Sequence, residues 1–122
     1  MNKKNMGVHI ILDLFGCPDD KLKDARVLEK ICQNTVKDAN LSILKSNFHQ
    51  FKPHGATGTM LLAESHLSVH TWPEHKSVAA DIFCCFLNEG NIEKAKEKAE
   101  MACKSLIKNF QPREINKNVK IR

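Results

Sequence analysis

Several types of reactive side chain are gathered in one stretch, Ala63-Glu64-Ser65-His66-Leu67-Ser68-Val69-His70-Thr71-Trp72-Pro73-Glu74. It holds two serines, two histidines, two carboxylates and the only tryptophan. A serine hydroxyl becomes a useful nucleophile only beside a base, and His66 and His70 are both close to Ser65 in sequence. If Leu67 to Trp72 is a strand, alternation puts Ser68, His70 and Trp72 on one side and Leu67, Val69 and Thr71 on the other. His70 then faces away from the apolar side, toward a site rather than the core. Spacing alone also allows Ser65 to be an ordinary serine at a strand end.

Other chemistries fit the same residue types. His66, His70 and His75, with Cys84 or Cys85, have the composition of a zinc site, but Val69, Thr71 and Pro73 oppose the helix that would bring the histidines together. Cys85 with His70 has the composition of a thiol nucleophile pair. Cys84 reads as a core thiol, Trp72 as a core aromatic, and Asp81 equally as a structural hydrogen-bonding group or a functional one.

The elements that must position these residues follow from periodicity. Val8, Ile10, Leu12 and Leu14 alternate, so Gly7 to Phe15 reads as a strand. Gly16 to Asp20 breaks it and offers a cap for a helix from Lys21 to Ala39, with Leu28, Ile31, Cys32, Thr35, Val36 and Ala39 as its apolar stripe. Asn40 ends that helix, and Leu41 to Phe51 is a weaker strand. Lys52 to Gly58 reads as a loop from its proline and glycines. Strands are expected at Thr59 to Ser65, Leu67 to Trp72 and Val78 to Phe86. Asn91 caps a second helix bearing Ile92, Ala95, Ala99, Ala102, Cys103 and Leu106 on its buried side. Pro112 closes it, and Glu114 to Ile121 forms a last strand. This order predicts a single α+β domain over residues 1–122, a two-layer sandwich with both helices on one face of a mainly antiparallel sheet.

Composition narrows the function classes. Hydrophobic residues make up 42% and charged residues 27%, the balance of a globular chain. No apolar run approaches the roughly 20 residues that cross a bilayer, and His9 and Asp13 interrupt the only run resembling a signal peptide core. A cytoplasmic location is expected. The five cysteines include no CxxC pair and read as reduced thiols. The net charge of +5 is scattered rather than gathered into a stripe with aromatics, which gives no basis for nucleic-acid binding.

The stretch Glu64 to Glu74 resembles the processing-site motif of the small prokaryotic S-adenosylmethionine decarboxylases. The resemblance extends through Phe48-His49-Gln50-Phe51, Gly55-Ala56-Thr57-Gly58 and Ala79-Ala80-Asp81-Ile82-Phe83-Cys84-Cys85, and to Gly7-Val8-His9-Ile10. It implies a proenzyme that cleaves itself between Glu64 and Ser65 into residues 1–64 and 65–122. Ser65 would become a pyruvoyl group, the covalent cofactor, which forms a Schiff base with the substrate amine and accepts the electrons released by decarboxylation. His70 would be the base in processing and Thr57 a hydroxyl helper, where many relatives carry serine. Cys85 would be the proton donor in catalysis; an ordinary thiol, with a pKa of about 8.5, is mostly protonated at neutral pH.

The resemblance further implies that Phe51 stacks on the adenine or faces the sulfonium, that Glu74 holds the ribose hydroxyls, and that Trp72 belongs to the same pocket. It implies no metal, an aminopropyl-donor product for polyamine synthesis, and a homodimer of processed protomers. A pyruvoyl-dependent arginine or ornithine decarboxylase on the same scaffold is the first alternative, and a non-enzymatic metal-binding protein the second.

Overall fold

The structure, a computed structural model, describes residues 5–85 and 92–122. Its strands are β1 (Gly7–Phe15), β2 (Ile43–Gln50), β3 (Ala56–Leu62), β4 (Ser65–Trp72), β5 (Ser77–Cys85) and β6 (Glu114–Ile121), and its helices are α1 (Ala25–Asp38) and α2 (Ile92–Phe110). The strands form one sheet in the order β2-β3-β4-β5-β1-β6, with every neighbouring pair antiparallel. Both helices pack on one face, α1 over β2 and β3 and α2 over β1 and β5. The two-layer α+β sandwich expected from periodicity is the architecture observed.

Alternation sorts each inner strand into two faces. Val8, Ile10, Leu12 and Leu14 of β1 are buried under the helices, as are Leu67 and Val69 of β4 and Val78, Ala80, Ile82 and Cys84 of β5. They meet Leu28, Ile31, Cys32 and Val36 of α1 and Ala95, Ala99, Ala102, Cys103 and Leu106 of α2. Each large side chain buried there contributes about 1.5–3 kcal/mol. The opposite face carries no helix among the described residues, and it presents His9, Asp13, His66, His70 and Asp81 beside exposed Ile11, Phe15, Leu61 and Trp72.

Several boundaries differ from the expectations. α1 starts at Ala25, because Asp24 rather than the Gly16–Asp20 segment caps it by accepting from Arg26 N–H at 2.7 Å. A short 3-10 turn, Asp19–Lys21, precedes it. Ala56, Thr57 and Gly58, read as loop, are the first residues of β3; Gly58 lies under Phe48, where a Cβ would fall 2.0 Å from the ring. Ser65 is not the end of the preceding strand: β3 stops at Leu62, a two-residue turn of Ala63 and Glu64 follows, and Ser65 opens β4 opposite Leu62. Phe86 and the Asn91 cap lie outside the described residues.

Candidate active site

The turn at Ala63-Glu64 is held from three sides. Ala63 N–H donates to Ser42 O at 2.9 Å, and Ser42 N–H donates to Glu64 Oε1 at 3.0 Å. Glu64 is buried, 4% exposed, and its Oε2 lies 3.5 Å from Lys98 Nζ of α2. Its main-chain carbonyl, on the peptide bond preceding Ser65, accepts from Cys85 N–H at 2.7 Å. Ser65 has φ +147°, a region that L-residues other than glycine avoid. The bond between Glu64 and Ser65 therefore combines an immobilised carbonyl, a polarising N–H and local backbone strain.

Cys84 and Cys85 differ in environment. Cys84 is fully buried under the helices, and desolvation, with the Glu64 charge adding, pushes its thiol up to about 12. It stays protonated and packs, as its position in the apolar alternation suggests. Cys85 belongs to the opposite phase and is partly accessible on the helix-free face, at the rung next to Ser65.

Thr57 and His70 sit directly opposite each other on β3 and β4, with Thr57 Oγ1 3.0 Å from His70 Nδ1. The hydroxyl and imidazole expected to cooperate are thus in contact. They are not beside Ser65: His70 lies five residues along β4, roughly 16 Å at about 3.3 Å per residue. The same arithmetic separates Cys85 from His70, which faces Ala79 across β5, so one chain does not form a Cys85–His70 pair. Two hollows of about 290 and 350 Å³ flank this part of the open face, the first between His9, Asp13, His70 and Asp81, the second between Phe15, Trp72 and His75.

Phe51, Trp72 and Glu74 gather at the far end of β4, roughly 23 Å from Ser65 by strand rise. The loop after Phe51 closes through Phe51 N–H to Gly55 O at 2.8 Å, and Gly55, at φ +103°, fits against Pro73. That contact sets the loop beside the 3-10 turn carrying Glu74, whose Oε2 is 3.8 Å from His54 Nε2. Trp72 is 43% exposed, so it is a surface aromatic of the open face and not the core residue that its type suggests.

One cluster was not expected from the sequence. His9 and His66 lie on the same rung as Phe83, on either side of it, and both Nε2 atoms meet Asp81 Oδ2, at 2.7 and 2.8 Å. Burial pushes the Asp81 carboxyl up, but the hydrogen bonds from His66 and His9 outweigh it and hold the group below its usual range. Arg122 Nη1 donates to His9 Nδ1 at 3.3 Å, with its guanidinium 4.8 Å from the Phe83 ring. Since arginine can only donate, the His9 proton sits on Nε2 and is directed at Asp81. The three ligand-type atoms lie within 4.8 Å of one another and are hydrogen-bonded to each other through Asp81 Oδ2. The zinc grouping of His66 with His70 and His75 does not form, because four residues on a strand separate His66 from His70 by roughly 13 Å. The outward phase of His9 was readable from the β1 alternation; its meeting with Asp81 depends on strand order, which was not.

Residues 8–122 match the family described as S-adenosylmethionine decarboxylase. The chain belongs to that family. It is 42% identical over 117 residues to the S-adenosylmethionine decarboxylase proenzyme of Sulfurihydrogenibium sp. (strain YO3AOP1), covering 96% of this chain and 82% of the relative. It is 45% identical over 82 residues to that of Methanococcus vannielii, covering 67% of each chain. The crystal structure of the adenosylmethionine decarboxylase from Aquifex aeolicus superposes with a TM-score of 0.87 at 38% identity, covering 98% of this chain and 92% of the other. Bacterial and archaeal family members alike are thus named as proenzymes.

Proposed function

We propose that this chain is a self-processing S-adenosylmethionine decarboxylase that cleaves between Glu64 and Ser65 and carries a pyruvoyl group made from Ser65. Family membership supports the decarboxylase reading. The observation that carries the cleavage assignment is the 2.7 Å hydrogen bond from Cys85 N–H to the Glu64 carbonyl, aimed at the oxygen where negative charge develops. The Ser65 hydroxyl oxygen adds to that carbonyl carbon, the C–N bond breaks, and the nitrogen takes the hydroxyl proton, leaving an ester. Removal of the α-proton of residue 65 expels the Glu64 carboxylate, and the dehydroalanine that remains takes up water and releases ammonia. The residues around Ser65 fit this chemistry: a strained serine, a fixed carbonyl and an N–H directed at it.

The pyruvoyl ketone supplies the electron sink that no ordinary side chain offers to a decarboxylation. Cys85, partly accessible beside residue 65, then delivers the proton to the substrate Cα. Phe51 and Trp72 offer aromatic faces to the adenine and sulfonium, and Glu74 accepts from the ribose hydroxyls.

The spacing within one chain supports a homodimer. Ser65, paired with buried Cys84, and Cys85 lie at one end of β4 and β5, whereas Thr57, His70, Trp72, Phe51 and Glu74 lie farther along or at the other end. A second copy stacked on the open face with its strands reversed, at the usual sheet-to-sheet spacing of about 10 Å, brings its own His70 and aromatic end toward the end of the sheet that holds Ser65 and Cys85. It also covers Ile11, Phe15, Leu61 and Trp72, each more than 40% exposed in the single chain. Release of carbon dioxide from S-adenosylmethionine, with arginine and ornithine as comparison substrates, tests the assignment. Turnover of either comparison substrate in place of S-adenosylmethionine transfers the scaffold to the other decarboxylase class.

A further inference from the structure

Glu64 is the one buried acidic residue among the described residues, and it is the residue whose carbonyl self-cleavage must attack. A carboxylate taken out of water needs compensation, and breaking a buried pair leaves one charge without it. Here Oε1 takes the Ser42 N–H and Oε2 faces Lys98 Nζ at 3.5 Å, while the same ammonium donates to Asn40 O at 3.2 Å. Lys98 thereby ties α2 both to the end of α1 and to the cleavage turn. Its side chain is three-quarters buried, so the pair is shielded from screening by solvent.

We propose that Lys98 is a positioning residue for self-cleavage, fixing the Glu64 side chain so that its carbonyl stays against Cys85 N–H and within reach of the Ser65 hydroxyl. The inference rests on the self-processing reading above. The geometry explains why a side-chain anchor matters at this residue. The Ala63-Glu64 turn has only two residues, and the Ser65 backbone is strained. Release of the Glu64 side chain lets the turn relax by rotating the carbonyl away from Cys85 N–H, which loses the polarised, near-attack arrangement. Lys98 belongs to the downstream piece and Glu64 to the upstream one. The same contact therefore holds the upstream C-terminus in place after cleavage.

The test follows freshly translated chain by denaturing mass spectrometry, with and without hydroxylamine, which cleaves the ester and so reports the first step separately from elimination. Wild-type chain that converts to two pieces upholds the self-processing reading; a folded wild-type chain that never converts removes that reading first. Given conversion, Lys98→Met is expected to slow it roughly tenfold or more, with hydroxylamine-released product falling in step, the scale of loss expected from a misplaced reacting group. Lys98→Arg, which keeps the charge, restores most of the rate. Glu64→Gln, which keeps an acceptor for Ser42 N–H but not the ion pair, slows as Lys98→Met does. Folding is checked by circular dichroism in the Ser65→Ala background, where cleavage cannot intervene. If Lys98→Met misfolds there, the Lys98→Arg and Glu64→Gln rates decide. Wild-type cleavage rates in folded Lys98→Met, or in Glu64→Gln, overturn the proposal, as does ester that accumulates normally and stalls only at elimination.

Discussion

Cys85 offers the proposed site two different groups, and the distinction predicts how its replacement divides the chemistry. The backbone N–H contacts the Glu64 carbonyl, whereas the thiol projects onto the open face. Cys85→Ala retains the N–H, so cleavage is expected to proceed, while turnover falls by about a hundredfold or more with the loss of the proton donor. Undiminished turnover in that variant removes the acid assignment. Asp81 gives a pH prediction at the same scale. Despite burial, its carboxyl is held low by His66 and His9. A carboxyl depressed on folding adds stability above its unfolded value of about 3.9, and that stability is lost as pH falls through the folded value. Asp81→Asn should therefore melt earlier than wild type near neutrality, with the difference in Tm shrinking below about pH 4. A difference constant across that range contradicts the assigned interaction.

The β3–β4 hairpin places the proposed processing residues on neighbouring strands, and its register makes Thr57 the direct neighbour of His70. Thr57→Val, similar in shape but without the hydroxyl, is expected to leave the imidazole free to rotate and to slow cleavage several-fold. Thr57→Ser should cleave at close to the wild-type rate. Equal cleavage in all three proteins shows that the 3.0 Å contact plays no part. Both helices and all six strands could be inferred from period and punctuation, because apolar alternation in β1, β4 and β5 and the stripes of α1 and α2 match the layers they bury. The β3–β4 turn could not, since Thr59 to Ser65 is continuous in composition and nothing local marks Ala63-Glu64 as a reversal. The same limit hid the His9–Asp81–His66 cluster, the Lys98–Glu64 contact and the Cys85 N–H donor. Each joins residues far apart in sequence, and each depends on strand order.

At the scale of the molecule, the sheet has a covered face and an open one, and the residues of the proposed reaction are divided along the length of its strands. If a second copy supplies His70 and the aromatic end, disrupting the open face should impair cleavage without touching any reacting group. Ile11→Glu puts a charge at a half-exposed position on that face. Sedimentation velocity is expected to show a shift from dimer toward monomer, accompanied by slower processing. A monomer that processes at the normal rate would falsify the paired arrangement. The central claim is that the bond between Glu64 and Ser65 is cut by the chain itself, and intact mass under denaturing conditions tests it most directly. The account predicts two pieces, residues 1–64 and 65–122, the second blocked to Edman sequencing by its pyruvoyl terminus, and a single chain from Ser65→Ala. A single uncut chain in fully matured, folded wild-type protein contradicts it.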